Sequence, residues 1–408
     1  MRTINRLFLS ILAAPATLVA QGPLEPLAAP APTMKSLQEI WDKIGGLETQ
    51  ATQLATQNAQ LQKQLTLLAA TTVNFAWNFS TVVSGANRRN ITLAFGQDGL
   101  PAVAYQNVTN ADLGIARFDG TQWTQTIIDS TGVVGEHACL AFDPAGFPAI
   151  SYYAAGPVFQ VRIARYDGSI WNVTDVGSAQ VGLPTSLAFA ANGQPSIAYF
   201  DSSTYDVKIA RYDGSVWTTT LVDGAGTILG TGGVSMAFAP DSQPSVSYND
   251  ENSKLKIARF NGTSWVKTIV DNSTNAGFSS SLAFGPDGQP SIAYFSLSTL
   301  NVHFARFNGG SWALSTVDGS ASNGGYTSLA FGPDGQPSLA YFSSASADLR
   351  FARFNNSAWT ITTVDSAGDV GQYSSLKIAP DGQPAIAYMD FTNYFVKLAR
   401  KGAFATVP

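Results

Sequence analysis

The chain has 408 residues, carries a formal net charge of −5 at pH 7, and contains only 12% charged residues. This acidic balance argues against nucleic acid and anionic lipid as partners, because both repel a negatively charged protein surface. The 45% hydrophobic content, together with 37 glycines and 20 prolines, excludes a wholly disordered chain and favours an all-β fold that is rich in turns.

The first 20 residues predict a secretory signal peptide. Arg2 and Arg6 precede an apolar run over residues 7–20, and a Gln-Gly-Pro segment follows. We therefore expect a secreted protein located outside the cell or at its surface, with the periplasm as the other compartment open to it. Later apolar stretches are too short to span a bilayer, so membrane insertion is not expected. Residues 21–33 are rich in Pro and Ala and predict an extended linker.

Residues 34–70 predict an α-helical coiled coil. Its seam follows the alternating spacing of three and four that defines heptad positions a and d, at Leu37, Ile40, Ile44, Leu47, Ala51, Leu54, Asn58, Leu61, Leu65 and Leu68. Asn58 occupies an a position, where a buried amide needs a partner amide from another helix. The seam therefore predicts a homo-oligomer formed through residues 37–68. The alternative is an amphipathic helix folded back on the remaining chain, because Gly45 and Gly46 interrupt the seam.

Residues 71–402 contain seven repeats. Their first apolar positions lie 46 to 49 residues apart, at Leu93, Leu140, Leu187, Met236, Leu282, Leu329 and Leu376. Each repeat predicts four short strands, which are separated by a Pro-Asp-Gly-like turn, a variable loop and an Asn-Gly or Asp-Gly turn. Four antiparallel strands in a repeat of this length are typical of a propeller blade. The sequence thus predicts a seven-bladed β-propeller, followed by a short tail at residues 403–408.

The two ends of the repeat region predict a closed ring. The last repeat ends at Gly402 without a tryptophan strand, whereas Trp77 lies in a strand-like segment that precedes the first repeat. We expect this N-terminal strand to complete blade seven, because closure removes an open sheet edge. Cys139 is the only cysteine, so closure has to replace disulfides, and a buried thiol is expected in preference to a reactive one.

The repeats resemble those of bacterial secreted β-propellers related to the sialidase-like and BNR-repeat group. The resemblance covers residues 75–402 and rests on turns such as Arg165-Tyr-Asp-Gly-Ser-Ile-Trp171 and Arg259-Phe-Asn-Gly-Thr-Ser-Trp265. The Asp-box of that group, Ser-x-Asp-x-Gly-x-Thr-Trp, is matched only in part, because the leading Ser is missing and the gap from Asp to Gly is shorter. The resemblance implies the propeller fold, and sialidase activity does not follow from it.

Arginine, tyrosine and tryptophan each recur once per repeat. A residue that is present in every repeat usually has a structural role. Arginine recurs at Arg117, Arg165, Arg211, Arg259, Arg306, Arg353 and Arg400. Tyrosine recurs at Tyr105, Tyr152, Tyr199, Tyr248, Tyr294, Tyr341 and Tyr388, and tryptophan at Trp77, Trp123, Trp171, Trp217, Trp265, Trp312 and Trp359. We interpret the arginines as partners of carboxylates or caps of strand ends, and the aromatic residues as packing between blades.

Five repeats place an aspartate six residues after the tryptophan, at Asp129, Asp223, Asp271, Asp318 and Asp365. These positions predict an acidic ring on the face that carries the variable loops. One interpretation is a turn-forming Asp that binds its own backbone. The other is a set of polar contacts to ligand hydroxyls or to a weakly held cation, although no Asp-x-Asp-x-Asp run supports a defined calcium site.

A second group of candidate binding residues leads into the first strands and is expected to ring the mouth of the central channel. Three residues before the first apolar position, the repeats carry Asn90, His137, Pro184, Gly233, Ser279, Tyr326 and Tyr373. We predict that His137, Tyr326 and Tyr373, with Arg89 and Asn90, form a polar and aromatic binding site. Aromatic faces stack on sugar rings, and amides bind hydroxyl groups.

These patterns predict a noncatalytic binding module for glycan or protein, with no catalytic residues, no metal site and no cofactor. Several copies displayed by the coiled coil would add avidity. A glycoside hydrolase or lyase is the first alternative, and it needs two carboxylates in unlike environments. Glu136 and Glu251 are the only glutamates in the propeller, and they lie in different blades. A structural component of the cell envelope or an adhesin is the second alternative.

Overall fold

A computed structural model of the chain describes residues 43–50, 53, 54, 57, 60, 76–85, 88–155, 159–178, 184–224, 233–250, 252–320 and 324–402. The predicted signal peptide, linker and C-terminal tail lie outside the described residues, as do Asn58 and Glu251. Contacts divide the chain into two units, Met1–Gln62 and Lys63–Pro408.

In the first unit, residues 43–50 are helical, and residues 53, 54, 57 and 60 continue in helical conformation. Three residues of the predicted seam, Ile44, Leu47 and Leu54, are exposed in the single chain. The rest of the seam lies outside the described residues, so the coiled coil and the homo-oligomer stay predictions. Among the described residues, no helix is both long enough and apolar enough to cross a membrane.

The described residues of the second unit form strands and the connections between them. Blade 1 consists of β2 (Arg88–Phe95), β3 (Pro101–Asn107), β4 (Asp112–Phe118) and β5 (Trp123–Asp129), and blade 2 of β6 (Val133–Phe142), β7 (Pro148–Ala155), β8 (Gln160–Tyr166) and β9 (Trp171–Ser178). Blade 3 consists of β10 (Thr185–Phe189), β11 (Pro195–Asp201), β12 (Asp206–Tyr212) and β13 (Trp217–Gly224), and blade 4 of β14 (Ser235–Phe238), β15 (Pro244–Asn249), β16 (Leu255–Phe260) and β17 (Trp265–Asp271).

The later blades repeat this order. Blade 5 consists of β18 (Phe278–Phe284), β19 (Pro290–Ser296), β20 (Asn301–Phe307) and β21 (Trp312–Asp318), and blade 6 of β22 (Gly325–Phe331), β23 (Pro337–Ser343), β24 (Asp348–Phe354) and β25 (Trp359–Asp365). Blade 7 consists of β26 (Val370–Ile378), β27 (Pro384–Asp390), β28 (Phe395–Lys401) and β1 (Trp77–Val83).

Each blade is a four-stranded antiparallel sheet, and the predicted seven-bladed propeller is confirmed. The N-terminal strand β1 pairs with β28, in a register that places Trp77 opposite Lys401 and Phe79 opposite Ala399. The sequence prediction that the chain start completes blade seven is therefore confirmed. Pairing at this position satisfies the backbone groups of β28 that an open blade would leave exposed.

Burial changes with strand position in each blade. The second strands, which begin with Pro and carry the repeated Tyr, are buried along their whole length, whereas the fourth strands are exposed along most of theirs. The first strands of adjacent blades contact each other, and β26 contacts β2 across the closure. The first strands therefore surround the central channel, and the fourth strands form the outer rim.

The propeller has two faces of different character. Since the strands are antiparallel, the turn between strands one and two and the turn between strands three and four lie on one face, which we call the turn face. These turns contain glycines with positive φ, such as Gly99 (73°) and Gly120 (102°), a conformation that favours glycine. The connections between strands two and three and those between successive blades lie on the opposite face, which we call the loop face.

A ring of hydrogen bonds joins the first strands of all seven blades. The backbone N–H of each first apolar residue donates to the side chain one residue before the equivalent position in the preceding blade, from Leu93 to Ser375, Leu140 to Thr92, Leu187 to Cys139, Met236 to Ser186, Leu282 to Ser235, Leu329 to Ser281 and Leu376 to Ser328. Six acceptors are hydroxyl groups, and the seventh is the sulfur of Cys139, at 3.3 Å. Cys139 is half-buried, so the expectation of a buried thiol holds only in part. Burial raises the pKa of this thiol, which opposes reactivity.

Candidate functional site

The five aspartates of the predicted acidic ring lie at the ends of the fourth strands, where each connects two blades. One carboxylate oxygen accepts a hydrogen bond from the repeated Tyr of the next blade, at 2.5 to 2.7 Å, in the pairs Asp129 with Tyr152, Asp223 with Tyr248, Asp271 with Tyr294, Asp318 with Tyr341, and Asp365 with Tyr388. In four of the five, the other oxygen accepts a backbone N–H two residues further on, as an Asx turn does. The ligand role stays a prediction, and these buried carboxylates also link the blades.

Hydrogen bonding decides the ionisation of these groups. Burial alone would raise the pKa of Asp271, but the hydrogen bonds from Tyr294 and Ser273 outweigh burial, and the net pKa is lowered. Burial, followed by the hydrogen bond to Asp271, raises the pKa of Tyr294. The carboxylate therefore stays ionised and the phenol stays protonated, which is the combination that a strong charge-assisted hydrogen bond requires.

The predicted channel-mouth residues occupy one structural position, a bulge in the first strand. The backbone is left-handed there in six blades, with φ of 53° at Asn90, 54° at His137, 70° at Gly233, 49° at Ser279, 58° at Tyr326 and 55° at Tyr373. Pairing with the second strand shifts register around this residue in several blades. Glycine and asparagine adopt this conformation readily, whereas a tyrosine adopts it at a cost of about 1 kcal/mol. The residues that vary at this position therefore include tyrosines, which the left-handed backbone disfavours.

Three of the five predicted channel-mouth residues lie close together. The rings of Tyr326 and Tyr373 are 4.6 Å apart between centroids, and Tyr373 lies 6.4 Å from the ring of Phe391. Burial and then Tyr373 raise the pKa of Tyr326, and the charge of Arg89 opposes that rise. Blades 6, 7 and 1 therefore contribute an aromatic pair and a nearby guanidinium to the loop face.

Asn90 and His137 have different surroundings. The amide of Asn90 donates to Gln106 at 3.2 Å, and Gln106 in turn donates to the carbonyl of Val134 in the next blade at 3.1 Å. His137 occupies the equivalent bulge of blade 2, and its carbonyl accepts a hydrogen bond from Thr185 at 2.9 Å. Asn90 thus belongs to an interblade network, and nothing in the structure tests a ligand role for either residue.

Three concave sites lie between blades on the turn face, and we call them the interblade grooves. Their volumes are 680 Å³ between blades 1 and 2, 770 Å³ between blades 2 and 3, and 430 Å³ between blades 4 and 5. These volumes are within the range of small-molecule binding sites in proteins. The sequence prediction placed ligands on the loop face and treated the residues of these grooves as framework.

The three grooves have the same construction. One wall carries the repeated Arg of the third strand, namely Arg117, Arg165 or Arg259, and the opposite wall carries the repeated Trp of the next blade, namely Trp171, Trp217 or Trp312. Each Trp contacts an aromatic residue of its own blade, with centroids 5.5 Å apart for Tyr166 and Trp171, 5.3 Å for Tyr212 and Trp217, and 5.4 Å for Phe307 and Trp312. Each groove therefore offers an aromatic surface opposite a guanidinium.

Five of the seven repeated arginines form an ion pair with a carboxylate in the first turn of their own blade. The N···O distances are 2.6 to 2.7 Å, in the pairs Arg117 with Asp98, Arg259 with Asp241, Arg306 with Asp287, Arg353 with Asp334, and Arg400 with Asp381. This confirms, for five blades, the prediction that the arginines pair with carboxylates. The pairs lie within blades, so they do not connect one blade to the next.

Arg165 and Arg211 differ from the other five arginines. Among the described residues, no ion pair and no hydrogen bond engages either guanidinium. The reason is in the sequence, because the turn position that carries Asp in the other blades is Ala145 in blade 2 and Asn192 in blade 3. An alignment of the repeats shows this substitution, which is the sequence signal for the two unpaired arginines.

The glutamate proposed for the enzymatic alternative lies on the loop face. Glu136 is half-buried in β6, and burial together with the charge of Glu136 raises the pKa of Tyr153 to about 12. Among the described residues, no group of three metal-ligating side chains is close enough to hold a metal ion. Glu251, the second glutamate, lies outside the described residues.

Comparisons with known proteins show the fold and leave the family open. No family model matches the chain, and no curated protein matches it. Among solved structures, a protein of unknown function from Dyadobacter fermentans has a TM-score of 0.53 and 12% identity, over 80% of this chain and 98% of that chain. The repeat family predicted from the sequence therefore stays a prediction.

Two further structures show that the same architecture occurs in a lyase and in a lectin. An ulvan lyase of polysaccharide lyase family 25 has a TM-score of 0.57 and 12% identity, over 80% of this chain and 96% of that chain. A mutant of the Aleuria aurantia lectin in complex with Fucα1-6GlcNAc has a TM-score of 0.50 and 17% identity, over 70% of this chain and 98% of that chain. At such identities the likeness is one of fold alone.

Proposed function

We propose that this protein is a secreted, noncatalytic glycan-binding module that holds sugar residues in its interblade grooves. The observation that carries the proposal is the repeated pairing of an aromatic wall with an arginine in grooves of 430 to 770 Å³. The apolar face of a sugar ring packs on an aromatic surface, while guanidinium groups donate to its hydroxyls. The fucose-containing glycan bound by the Aleuria aurantia lectin is consistent with such a ligand.

An arginine that is already paired with a carboxylate is suited to a neutral sugar. In the groove between blades 1 and 2, Arg117 donates to Asp98 at 2.7 Å, and both side chains remain about 40% exposed. The pair therefore presents donors and acceptors side by side, as adjacent hydroxyl groups require. Its geometry is fixed before a ligand arrives, which lowers the entropic cost of binding.

The protein is also proposed to carry several binding sites per assembly and to act outside the cell. Similar grooves in one propeller, presented in several copies by a coiled coil over residues 37–68, would convert weak individual contacts into avidity. The exposed seam residues Ile44, Leu47 and Leu54 are available for such an assembly. The signal-peptide pattern of residues 1–20 supports export, so a glycan outside the cell is the partner we propose.

Four buried aspartates of the loop face are unsuited to act as the general acid of a glycosidase. A glycosidase needs a carboxyl group with a raised pKa as its general acid. The hydrogen bonds and cations around Asp129, Asp271, Asp318 and Asp365 lower their pKa despite burial. Turnover of a glycoside by the purified protein would contradict the proposal, and Glu136 would then be the first residue to replace.

A glycan array with the purified protein tests both the function and its site. We expect the triple variant Trp171→Leu, Trp217→Leu and Trp312→Leu to lose array signal, because leucine retains apolar volume but removes the flat ring. The matched loop-face variant, Tyr326→Asn and Tyr373→Asn, tests the channel mouth. Asparagine occupies the same bulge in blade 1 at Asn90 (φ 53°), so this variant is expected to fold and to retain the signal. Loss of signal in the loop-face variant alone would move the site to the channel mouth.

A further inference from the structure

The two arginines that lack a carboxylate partner define a second type of interblade position. The paired arginines donate to one Asp oxygen, while the other oxygen accepts the backbone N–H two residues later, as in Asp241, with Arg259 at 2.6 Å and Gln243 at 3.0 Å. Asn192 retains the backbone bond, since its side-chain oxygen accepts from Gln194 at 3.1 Å. Its remaining polar atom is an NH₂ group, which donates and cannot accept from Arg211.

The missing partner also changes where the guanidinium lies. The paired Arg117, Arg259, Arg306 and Arg400 lie over a phenylalanine of the next blade's first strand, at 5.3 to 5.9 Å from the ring centroid. Arg165 lies instead over Tyr212, at 5.9 Å, and Arg211 over Phe260, at 5.7 Å. Both rings belong to third strands and pack against the repeated tryptophans Trp217 and Trp265 of the same blades. The unpaired guanidinium groups thus lie along the aromatic wall.

We propose that the groove between blades 2 and 3, and the equivalent position around Arg211 between blades 3 and 4, bind the anionic group, carboxylate or sulfate, of an acidic sugar. This inference rests on the proposed function and adds the substrate class at these two positions. A guanidinium whose N–H groups are unpaired can donate two parallel hydrogen bonds, either to the two oxygens of a carboxylate or to two oxygens of a sulfate. The aromatic ring beneath the guanidinium packs against the sugar ring. Because this turn position lacks an Asp, no carboxylate there repels the anion.

The two positions are expected to differ in strength. Asp143, Asp167 and Asp175 line the groove that contains Arg165. Asp175 is paired with Arg162 at 2.8 Å, but the three carboxylates still lower the local potential and weaken the attraction of an anion. In blade 3 the first turn has Asn192 in place of a carboxylate. Arg211 is therefore expected to contribute more to anion binding than Arg165.

The decisive experiment restores the missing carboxylates in the full-length protein. Titration calorimetry would compare galactotriose, trigalacturonate and sulfated galactotriose, which are neutral, carboxylated and sulfated probes. We expect the wild type to bind at least one acidic probe more tightly than galactotriose. The variant Ala145→Asp and Asn192→Asp is expected to lose that preference, with affinity for the acidic probe falling about tenfold as each guanidinium regains an internal partner. Its affinity for galactotriose should change less than twofold.

Matched variants separate this effect from net charge and from misfolding. Asn308→Asp with Asn355→Asp adds the same two negative charges to turns of blades 5 and 6, where blades 1 to 3 already carry Asp119, Asp167 and Asp213. This control should retain the acidic preference. In the reverse direction, Asp241→Asn frees Arg259 and is expected to raise the number of acidic probe molecules bound per chain from two to three.

The outcomes distinguish this inference from the proposed function. Galactotriose binding with no preference for either acidic probe would overturn the inference and leave the proposed function intact. Unchanged acidic binding in the Ala145→Asp and Asn192→Asp variant would also overturn it. Failure of every probe, on a glycan array as well as in titration, would overturn both. Preference for trigalacturonate alone, or for the sulfated probe alone, would identify which anion the two positions select.

Discussion

Carboxylates are used in opposite ways on the two faces of the propeller. On the loop face, Asp271 and its equivalents are buried and accept hydrogen bonds from tyrosines of the next blade. On the turn face, Asp287 and its equivalents are largely exposed and pair with an arginine of their own blade. Burial decides which carboxylates hold the ring together and which remain available to solvent and ligands.

Each face lacks its Asp in two of the seven blades, but the consequence for the neighbouring groups differs. On the loop face, Val83 and Gly177 stand six residues after Trp77 and Trp171, and on the turn face Ala145 and Asn192 replace Asp. Blade 3 replaces the turn-face Asp by Asn192 and keeps the turn, because the backbone N–H of Gln194 still finds an acceptor. On the loop face, removal of the Asp would leave a buried tyrosine hydroxyl without its acceptor. Exchange of Asp for Asn on the turn face therefore preserves the turn, and this face is where we place ligand specificity.

The largest effect is expected from breaking a loop-face pair. Asp271→Ala removes the acceptor of the Tyr294 hydroxyl and leaves that buried group unsatisfied, which is expected to destabilise the protein by about 3 kcal/mol. Urea unfolding followed by tryptophan fluorescence measures the change. The double variant Asp271→Ala with Tyr294→Phe should recover part of the loss, and no recovery would show that the pair is not the cause.

Acid is expected to destabilise the protein through the loop-face aspartates. Since the pKa values of Asp129, Asp271, Asp318 and Asp365 are lowered in the folded protein, each contributes stability above its unfolded value, about 4, and loses it as pH falls through the folded value. The partner tyrosines have raised pKa values, so their contribution is lost above roughly pH 10. We expect unfolding midpoints to be flat between these limits, and Asp271→Ala to reduce the acid dependence. If the unfolding midpoint of Asp271→Ala falls with acid as steeply as that of the wild type, this prediction is wrong.

A smaller effect is expected at the ring of first strands. Cys139→Ala removes the acceptor of the Leu187 N–H at 3.3 Å and should cost about 1 kcal/mol. Cys139→Ser supplies the hydroxyl that most other blades have at this position, so its unfolding midpoint should match that of the wild type. Equal loss in both variants would indicate that sulfur packing, and not the hydrogen bond, matters at this position.

The smallest effect is expected at the turn face. Asp287→Ala breaks the pair with Arg306, whose side chain is 30% exposed against 50% for the Asp, and exposed pairs contribute less than about 1 kcal/mol. Urea unfolding should therefore show a change far below that of Asp271→Ala. Comparable losses for the two variants would remove the distinction between the faces.

The sequence by itself determined the repeat number, the four strands of each blade and the closure by the segment around Trp77. These features depend on local pattern and on counting, since alternating apolar residues, Asp-Gly turns and a missing strand are visible along the chain. It also grouped Tyr326 and Tyr373 with Arg89, Asn90 and His137. The structure places the rings of Tyr326 and Tyr373 side by side, whereas Asn90 and His137 have other surroundings.

Only the tertiary structure decided which of the repeated residues have partners. The link from Asp271 to Tyr294 joins different blades, and the ion pair of Arg306 with Asp287 joins two strand ends that are 19 residues apart. The sequence shows that blades 2 and 3 have Ala145 and Asn192, but it does not show that Asp at this position contacts the arginine. That contact, and therefore the two unpaired guanidinium groups, depends on how antiparallel strands bring separate turns to one face of the sheet.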